Sequence, residues 1–507
     1  MNRKIKVLSF IFALCIGFSS CVKEAVEDID KIENHALRAW IKKNKPELLE
    51  NYQEDGGYYV DVKQWGDTTT IKDENDFGGE PIMDQDTCWM FYKFTGYNLY
   101  GDVCITRSEN VARLQGKYSV YTHYVPYLNY CGITNDNGLM EGTYISTRHE
   151  IKLGEEYVRT HPECRSTTFR MRKGSKVWLY LPSSIGNGTS ASSASGGYEG
   201  QFAMDNNKPM IMEVEVMRVI KNPSDKEIGM VDQLVAHSNQ TFGAEVWKKV
   251  EKPKDEDTDL EDETEDEFFK GLFYNTDYDP SNVETATFGY MKPESLEISP
   301  ENAYRDNGSY GNMSQLEVQI DSILVAKFKD KVLPKSERTE ENLVGSGGTA
   351  KVWYIGRFLD GFIFDTNISE IKQLIDKSAS SSSTPITYSA SSDESSYISA
   401  WYHCIPKLYY GSYAAIMTTS GFAYGNSGVS GSTSSSQASY DYSLYDPYYS
   451  DYYEYYGYYN SFVNPYGYYD YSNYSGSSSS NVDTSTISTE ILPYNPLIFY
   501  IFIEKKK

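Results

Sequence analysis

The stretch VWYIGRFLDGFIFDTN, Val352–Asn367, limits what this chain can fold into more than any other. Bulky apolar residues alternate up to an Asp360-Gly361 pair, then alternate again into Phe364 and Asp365. Period-two alternation on both sides of an Asp-Gly pair specifies two antiparallel strands joined by a tight turn. An aspartate beside a phenylalanine where a strand ends is more often a turn cap than a functional group when it stands alone. The rest of the chain has to decide which it is here.

The same texture occurs earlier. FYKFTGYNLYGDVCITR, Phe91–Arg107, parallels the hairpin, and KVWLYLP and PMIMEVEVMRVI are further short strands set off by Gly, Ser and Asn. Strand-rich sequence thus runs from Pro81 to Ile220 and again from Asp321 to the C-terminus, and 507 residues allow two or three domains. Ahead of the first region, Ala36, Leu37, Trp40 and Ile41 recur at helical spacing until Pro46 interrupts, which predicts a helical stalk. Residues 251–268, EKPKDEDTDLEDETEDEF, hold too little apolar surface to offset the entropy of ordering and read as a solvated linker; they lack the glycine-centred spacing of a calcium loop. GMVDQLVAHSNQTF and SQLEVQIDSILVAKF lie in the same connecting region without an assigned function. The expected organisation is a leader over 1–21, a stalk over 22–80, domains over 81–221 and 336–507, and an acidic connecting segment over 222–335 between them. A Tyr- and Ser-rich insert, 429–489, interrupts the second domain; it has no aliphatic periodicity and reads as a sticky surface rather than a core.

A formal net charge of −24 with no Lys/Arg cluster argues against nucleic acid as a partner. The N-terminus pairs basic MNRKIK with the apolar run Val7–Phe18, shorter than the roughly 20 residues that span a bilayer. The SSC that follows resembles a bacterial lipobox, which implies acylation of Cys21 and a folded part held at the cell envelope by lipid, on the outer membrane, facing the periplasm or the surface. Cys88, Cys104, Cys131, Cys164 and Cys404 show no metal spacing, so no cofactor is expected; they read as buried apolar thiols, with disulfide pairing left open.

In order, VWYIG, DGFIFDTN, YISAW, YYGSYAAIMTTSGFAYG and, beyond the insert, EILPYNPLIFYIFIE resemble the FKBP-type peptidyl-prolyl cis-trans isomerase domain over roughly 336–428 and 490–507. The resemblance implies an α+β fold: two FKBP-like domains, each an antiparallel sheet curled around a short helix. It also implies a pocket of Tyr354, Phe364, Asp365, Trp401, Tyr424 and Phe499 as catalytic residues, with Ile386, Ile398, Ile491 and Leu492 binding substrate. Proline-containing polypeptides would be the substrates and folding of exported proteins the role. Rotating an X-Pro amide against a barrier of about 18–20 kcal/mol needs no proton transfer, so an apolar slot that favours the twisted amide suffices. Tyr424 hydroxyl and the Ile398 N–H would hold substrate carbonyls, and Asp365 would fix Tyr354 or polarise the twisting amide. Pro406, inside the expected helix, predicts a shortened or distorted one. In the first region Phe94, Cys104, Ile105, Cys164 and Asn187 stand where the second has Tyr354, Phe364, Asp365, Trp401 and Tyr424, which implies the same fold without isomerase activity. The other reading is a non-catalytic module that binds a protein, peptide or glycan. His403 and His161 lack a nucleophile and an orienting partner and read as ordinary core or surface residues.

Overall fold

The computed structural model describes residues 29–69, 75–116, 118, 120–134, 139–186, 208–242, 245–252, 268–281, 313–377, 379–392, 396–429 and 489–504. The leader with Cys21, Asn187, the acidic run from 253 to 267 and the insert from 430 to 488 lie outside them. The described residues fall into two units, one drawn from 1–117, 126–196 and 200–223, the other from 118–125 and 224–507.

In the first unit, helix α1 (Ile29–Asn44) leads into strands β1 (Tyr52–Gln53) and β2 (Tyr58–Trp65). There follow β3 (Trp89–Asn98), β4 (Val103–Thr106), α2 (Glu109–Leu114), β5 (Tyr127–Tyr130), α3 (Glu141–Arg148), β6 (Ile151–Lys152), α4 (Glu155–Thr160), β7 (Thr168–Phe169), β8 (Ser175–Leu181) and β9 (Met210–Ile220). The second unit opens with α5 (Pro223–Phe242), β10 (Lys248–Glu251), β11 (Phe268–Asn275) and α6 (Met313–Phe328). It continues through β12 (Thr349–Phe358), β13 (Ile363–Thr366), α7 (Ser369–Ile375), β14 (Ile386–Ser389), α8 (Ser399–Cys404), β15 (Ser412–Thr418) and β16 (Leu497–Ile503).

Each unit is built on a seven-stranded antiparallel sheet, and the strand order is the same: β1-β2-β8-β9-β3-β4 with β5 on β3, and β10-β11-β15-β16-β12-β13 with β14 on β12. The match reaches single residues. Gly96 opposes Ile105 as Gly356 opposes Asp365, and each pair is followed at once by a shift in register. The expected α+β class with two antiparallel sheets is therefore the observed one.

Segments that read as stalk and linker turn out to be parts of the two sheets. Tyr52–Gln53 and Tyr58–Trp65, expected within a helical stalk, form one edge of the first sheet, because Val60 and Val62 are fully buried against β8. Lys248–Glu251 and Phe268–Asn275, expected within a connecting segment, form the matching edge of the second. GMVDQLVAHSNQTF and SQLEVQIDSILVAKF are the helices α5 and α6.

Alternation decides how the second unit packs. Along β16, Leu497, Phe499, Ile501 and Ile503 enter one core with Trp401 and Cys404 of α8, while Ile498, Tyr500 and Phe502 enter another. That second core takes Val231 and Leu234 from α5 and Ile320, Leu324 and Phe328 from α6. The sheet is covered on both faces, which is why all seven residues of LIFYIFI are buried.

The hairpin turn is longer than the two-residue connection the Asp-Gly pair suggests. Phe358 N donates to the Phe362 carbonyl (2.9 Å) and Gly361 N to the Phe358 carbonyl (2.8 Å), with Gly361 at φ 88° where a side chain would be strained. His123, which the sequence did not single out, lies flat on Phe358 (centroids 4.5 Å apart, 8° between planes), with Nε2 2.6 Å from Asp360 Oδ2. As Pro406 foretold, α8 is short: it gives way after Cys404 to a 3-10 turn over Ile405–Lys407.

All five cysteines beyond Cys21 are buried thiols. Cys88 and Cys131 face each other across the β3–β5 pair, their Sγ atoms 3.3 Å apart and the Cys131 N–H on the Cys88 carbonyl (2.9 Å). Refolding the chain with oxidised glutathione is expected to join this pair, seen as a loss of two hydrogens by mass spectrometry with Cys104, Cys164 and Cys404 still alkylated in denaturant. The link would stabilise the first unit by about 2–4 kcal/mol. Alkylation of Cys88 and Cys131 after that treatment would contradict the expectation.

Candidate functional site

The site is assembled on β12, β13, α8 and β16. Tyr354 lies two residues before Gly356, and the missing Cβ of Gly356 is what admits Phe364: a Cβ there would come within 2.5 Å of the Phe364 ring. Phe499, opposite Gly356 on β16, closes the same spot from the other side. Trp401 stands in the first turn of α8, its N–H on the Ile398 carbonyl (2.9 Å).

These rings converge. Trp401 meets Tyr354 at 5.3 Å and Phe499 at 5.6 Å, both edge to face, and Phe364 meets Phe499 at 5.8 Å and Tyr424 at 6.4 Å. Phe364, Trp401 and Phe499 are buried, whereas Tyr354 and Tyr424 are partly exposed. Ile491 is in the same core, with Ile386 and Ile398 packed partly buried against it; Leu492 is buried but is not a member of that cluster.

Polar order is confined to one edge. The Tyr354 hydroxyl donates to Asp365 Oδ2, and Thr366 N donates to Asp365 Oδ1 (2.8 Å). Burial pushes the Asp365 carboxyl up, against the pull of the Tyr354 hydrogen bond and of Lys372, whose Nζ is 3.9 Å away. Burial and the Asp365 charge push the phenols of Tyr354 and Tyr424 up as well, so both remain hydrogen-bond donors at any ordinary pH. Thr366 and Asn367 end the same hairpin. They fix Tyr354: Thr366 Oγ1 donates to its carbonyl (2.6 Å), and Asn367 Oδ1 accepts from its N–H (2.9 Å). The indole N–H of Trp401 is buried without a partner among the described residues.

Where the insert departs and returns, Val429 and Ile491 exchange both backbone hydrogen bonds (2.8 and 2.9 Å). That bridge holds Ile491 in the core beside the rings.

At the corresponding place in the first unit, Phe94 packs with Tyr92 (5.4 Å) and Tyr127 (6.1 Å), and Arg107 lies 4.9 Å over Tyr127. Cys104 and Ile105 occupy the strand positions of Phe364 and Asp365 by register, so neither the ring nor the carboxylate is present. Cys164 is buried. His161 stacks on Tyr157 and His403 lies beside Phe269.

No family model matches the chain, and no curated protein matches it. Among solved structures it is similar to the three FKBP domains of wheat FKBP73, at 12% identity over 89% of this chain and 95% of that one, with a TM-score of 0.20. FkpA from Escherichia coli matches at 13% identity over 44% and 74%, with a TM-score of 0.22. A peptidyl-prolyl cis-trans isomerase from Pseudomonas syringae matches at 13% identity over 38% and 95%, with a TM-score of 0.20.

Proposed function

We propose that the second unit is a peptidyl-prolyl cis-trans isomerase of the FKBP type. The observation that carries this reading is the convergence of Tyr354, Phe364, Trp401, Tyr424 and Phe499 on one place, with Asp365 hydrogen-bonded to Tyr354 at its edge. Trp401, Phe364, Phe499 and Tyr354 form the slot for the proline ring. A twisted amide has lost its conjugation, and its carbonyl is less polar than that of the planar form, so a dry aromatic site favours it. The Tyr424 hydroxyl and the Ile398 N–H, at the start of α8 where helical N–H groups lack intrahelical acceptors, hold the carbonyls of the substrate chain. Asp365 keeps the Tyr354 ring in place and sets a negative edge beside the turning amide. Ile386, Ile491 and Leu492 supply apolar contact to the residues flanking proline.

The chain is held at the cell envelope through acylated Cys21, and proline-containing segments of exported proteins are its substrates. In the first unit, which keeps the strand order but has Cys104 and Ile105 where Phe364 and Asp365 stand, the reading is binding without catalysis.

The test is exchange between cis and trans forms of a short X-Pro peptide, followed by NMR line shapes with and without the full chain. Faster exchange in its presence is expected, with a marked fall for Asp365→Ala. An exchange rate untouched by the folded chain would end the isomerase reading and leave the binding one.

A further inference from the structure

We propose that Glu227 is a positioning residue of this site: its carboxylate holds Ser420, and through Ser420 the turn that presents the Tyr424 hydroxyl. This rests on the isomerase reading for its consequence, but not for its geometry. Glu227, on the first turns of α5, is buried, with Oε1 accepting from the Ser420 N–H and Oε2 from the Ser420 Oγ–H (2.8 Å). The Ser420 carbonyl in turn accepts from Ala423 N (2.9 Å) and Gly425 N (2.8 Å). Those two amides bracket Tyr424. One carboxylate therefore anchors the single residue on which both flanks of the tyrosine hang.

The first unit repeats the device. Glu33 of α1, also buried, takes the N–H and Oγ–H of Ser183, both at 2.5 Å, and the Ser183 carbonyl accepts from Gly186 N (3.2 Å). Each unit thus places a helix ahead of its sheet and sends one glutamate from it to the serine just past the third strand of the sheet order. A single buried glutamate on a serine could be incidental packing; the same two-oxygen grip at matching places in both units argues for a built part of the loop.

The grip depends on charge. Burial pushes the Glu227 carboxyl up to about 7 against the pull of the two Ser420 donors. Tyr494, on the loop after Ile491, is the titratable group facing it, and its phenol is raised by burial and by the Glu227 charge; among the described residues no cation enters the balance at Glu227. Ionised, Glu227 offers an acceptor to each Ser420 donor. Protonated, one oxygen carries a hydrogen of its own, and the grip weakens. Global stability moves the opposite way, because a carboxyl raised from 4.5 to about 7 by folding binds more protons in the folded state. Stability is therefore full below the lower value, falls as pH rises through the higher one, and stays reduced above it. Loop order and overall stability changing in opposite senses is a signature that general acid loosening does not produce.

Hydrogen exchange of the full chain, read by mass spectrometry on residues 418–428 between about pH 5 and about pH 9 and corrected for intrinsic exchange, tests this. In the wild type, protection of this segment should fall roughly tenfold as pH drops through the Glu227 transition, and kcat/KM for the X-Pro peptide should fall with it. In Glu227→Gln both profiles should be flat, since an amide neither titrates nor accepts on its nitrogen. Ser420→Ala, which removes one donor, should lower protection at high pH and halve the pH response even if the glutamine variant fails to fold. A pH-dependent loop with no isomerase activity at any pH would sink the proposed function and leave the clamp standing. A wild-type loop whose protection does not change with pH, or a glutamine variant that keeps the change, would overturn the clamp.

Discussion

A chain cut to residues 336–507 will not fold, although that is the span over which the sequence resembles one domain. The cut removes β10, β11, α5 and α6. β15 loses its partner along Leu272–Asn275, leaving a row of unpaired backbone groups. Trp353, Ile355, Tyr413, Met417, Tyr500 and Phe502 lose Val231, Leu234, Trp247, Phe273, Ile320, Leu324 and Phe328 from their core. Each large apolar side chain stabilises by about 1.5–3 kcal/mol when buried, and a domain's whole margin is about 5–15 kcal/mol, so losing this many partners exceeds it. Arg357, buried on β12, also loses its ion pair with Glu317 (2.9 Å) and is laid open to water by the same cut. Thermal unfolding followed by near-ultraviolet circular dichroism should give a cooperative transition for the full chain and none for 336–507. A cooperative transition in the shorter fragment would show that the helical layer is dispensable.

Trp401→Ala is the single substitution expected to damage the site most. The indole is 5% exposed, edge-on to both Tyr354 and Phe499, and its loss leaves a hole among rings that cannot collapse onto one another without shifting β12 against β16. Stability should drop by about 3–5 kcal/mol. On the proposed isomerase reading, activity on the X-Pro peptide should drop roughly 100-fold in the fraction that remains folded, because one ring of the proposed slot is gone and its neighbours are displaced. Trp401→Phe keeps a ring and should recover part of both. Tyr100→Ala, at a residue 93% exposed, should change neither. If Trp401→Ala stays folded and isomerises the peptide at the wild-type rate, the slot is not where the proline binds.

Different parts of this molecule were legible to different degrees. The hairpin was plain, since alternation around Asp360-Gly361 encodes two antiparallel strands locally, and the register then puts Tyr354 and Asp365 within reach of one hydrogen bond. The edge strands were not. KKVE and YYVDVKQW are short or polar, and β11 follows an acidic run that hides it. One signal for the covering helices was available in LIFYIFI, where the absence of alternation means that both faces are buried and something must lie on the second. Glu227 offered no such signal, because a glutamate in an amphipathic helix looks like a solvated one until the fold brings a serine 193 residues away against it.

By itself, the sequence determined the hairpin and the other central strands, their alternation and the set of aromatic residues, because period and turn chemistry act over a few residues. Tertiary structure alone decided that stalk and linker segments complete the sheets, that two helices seal the second face, and that buried carboxylates grip the loops. Those outcomes depend on which distant surfaces exclude water together, and no local window of the chain carries that information.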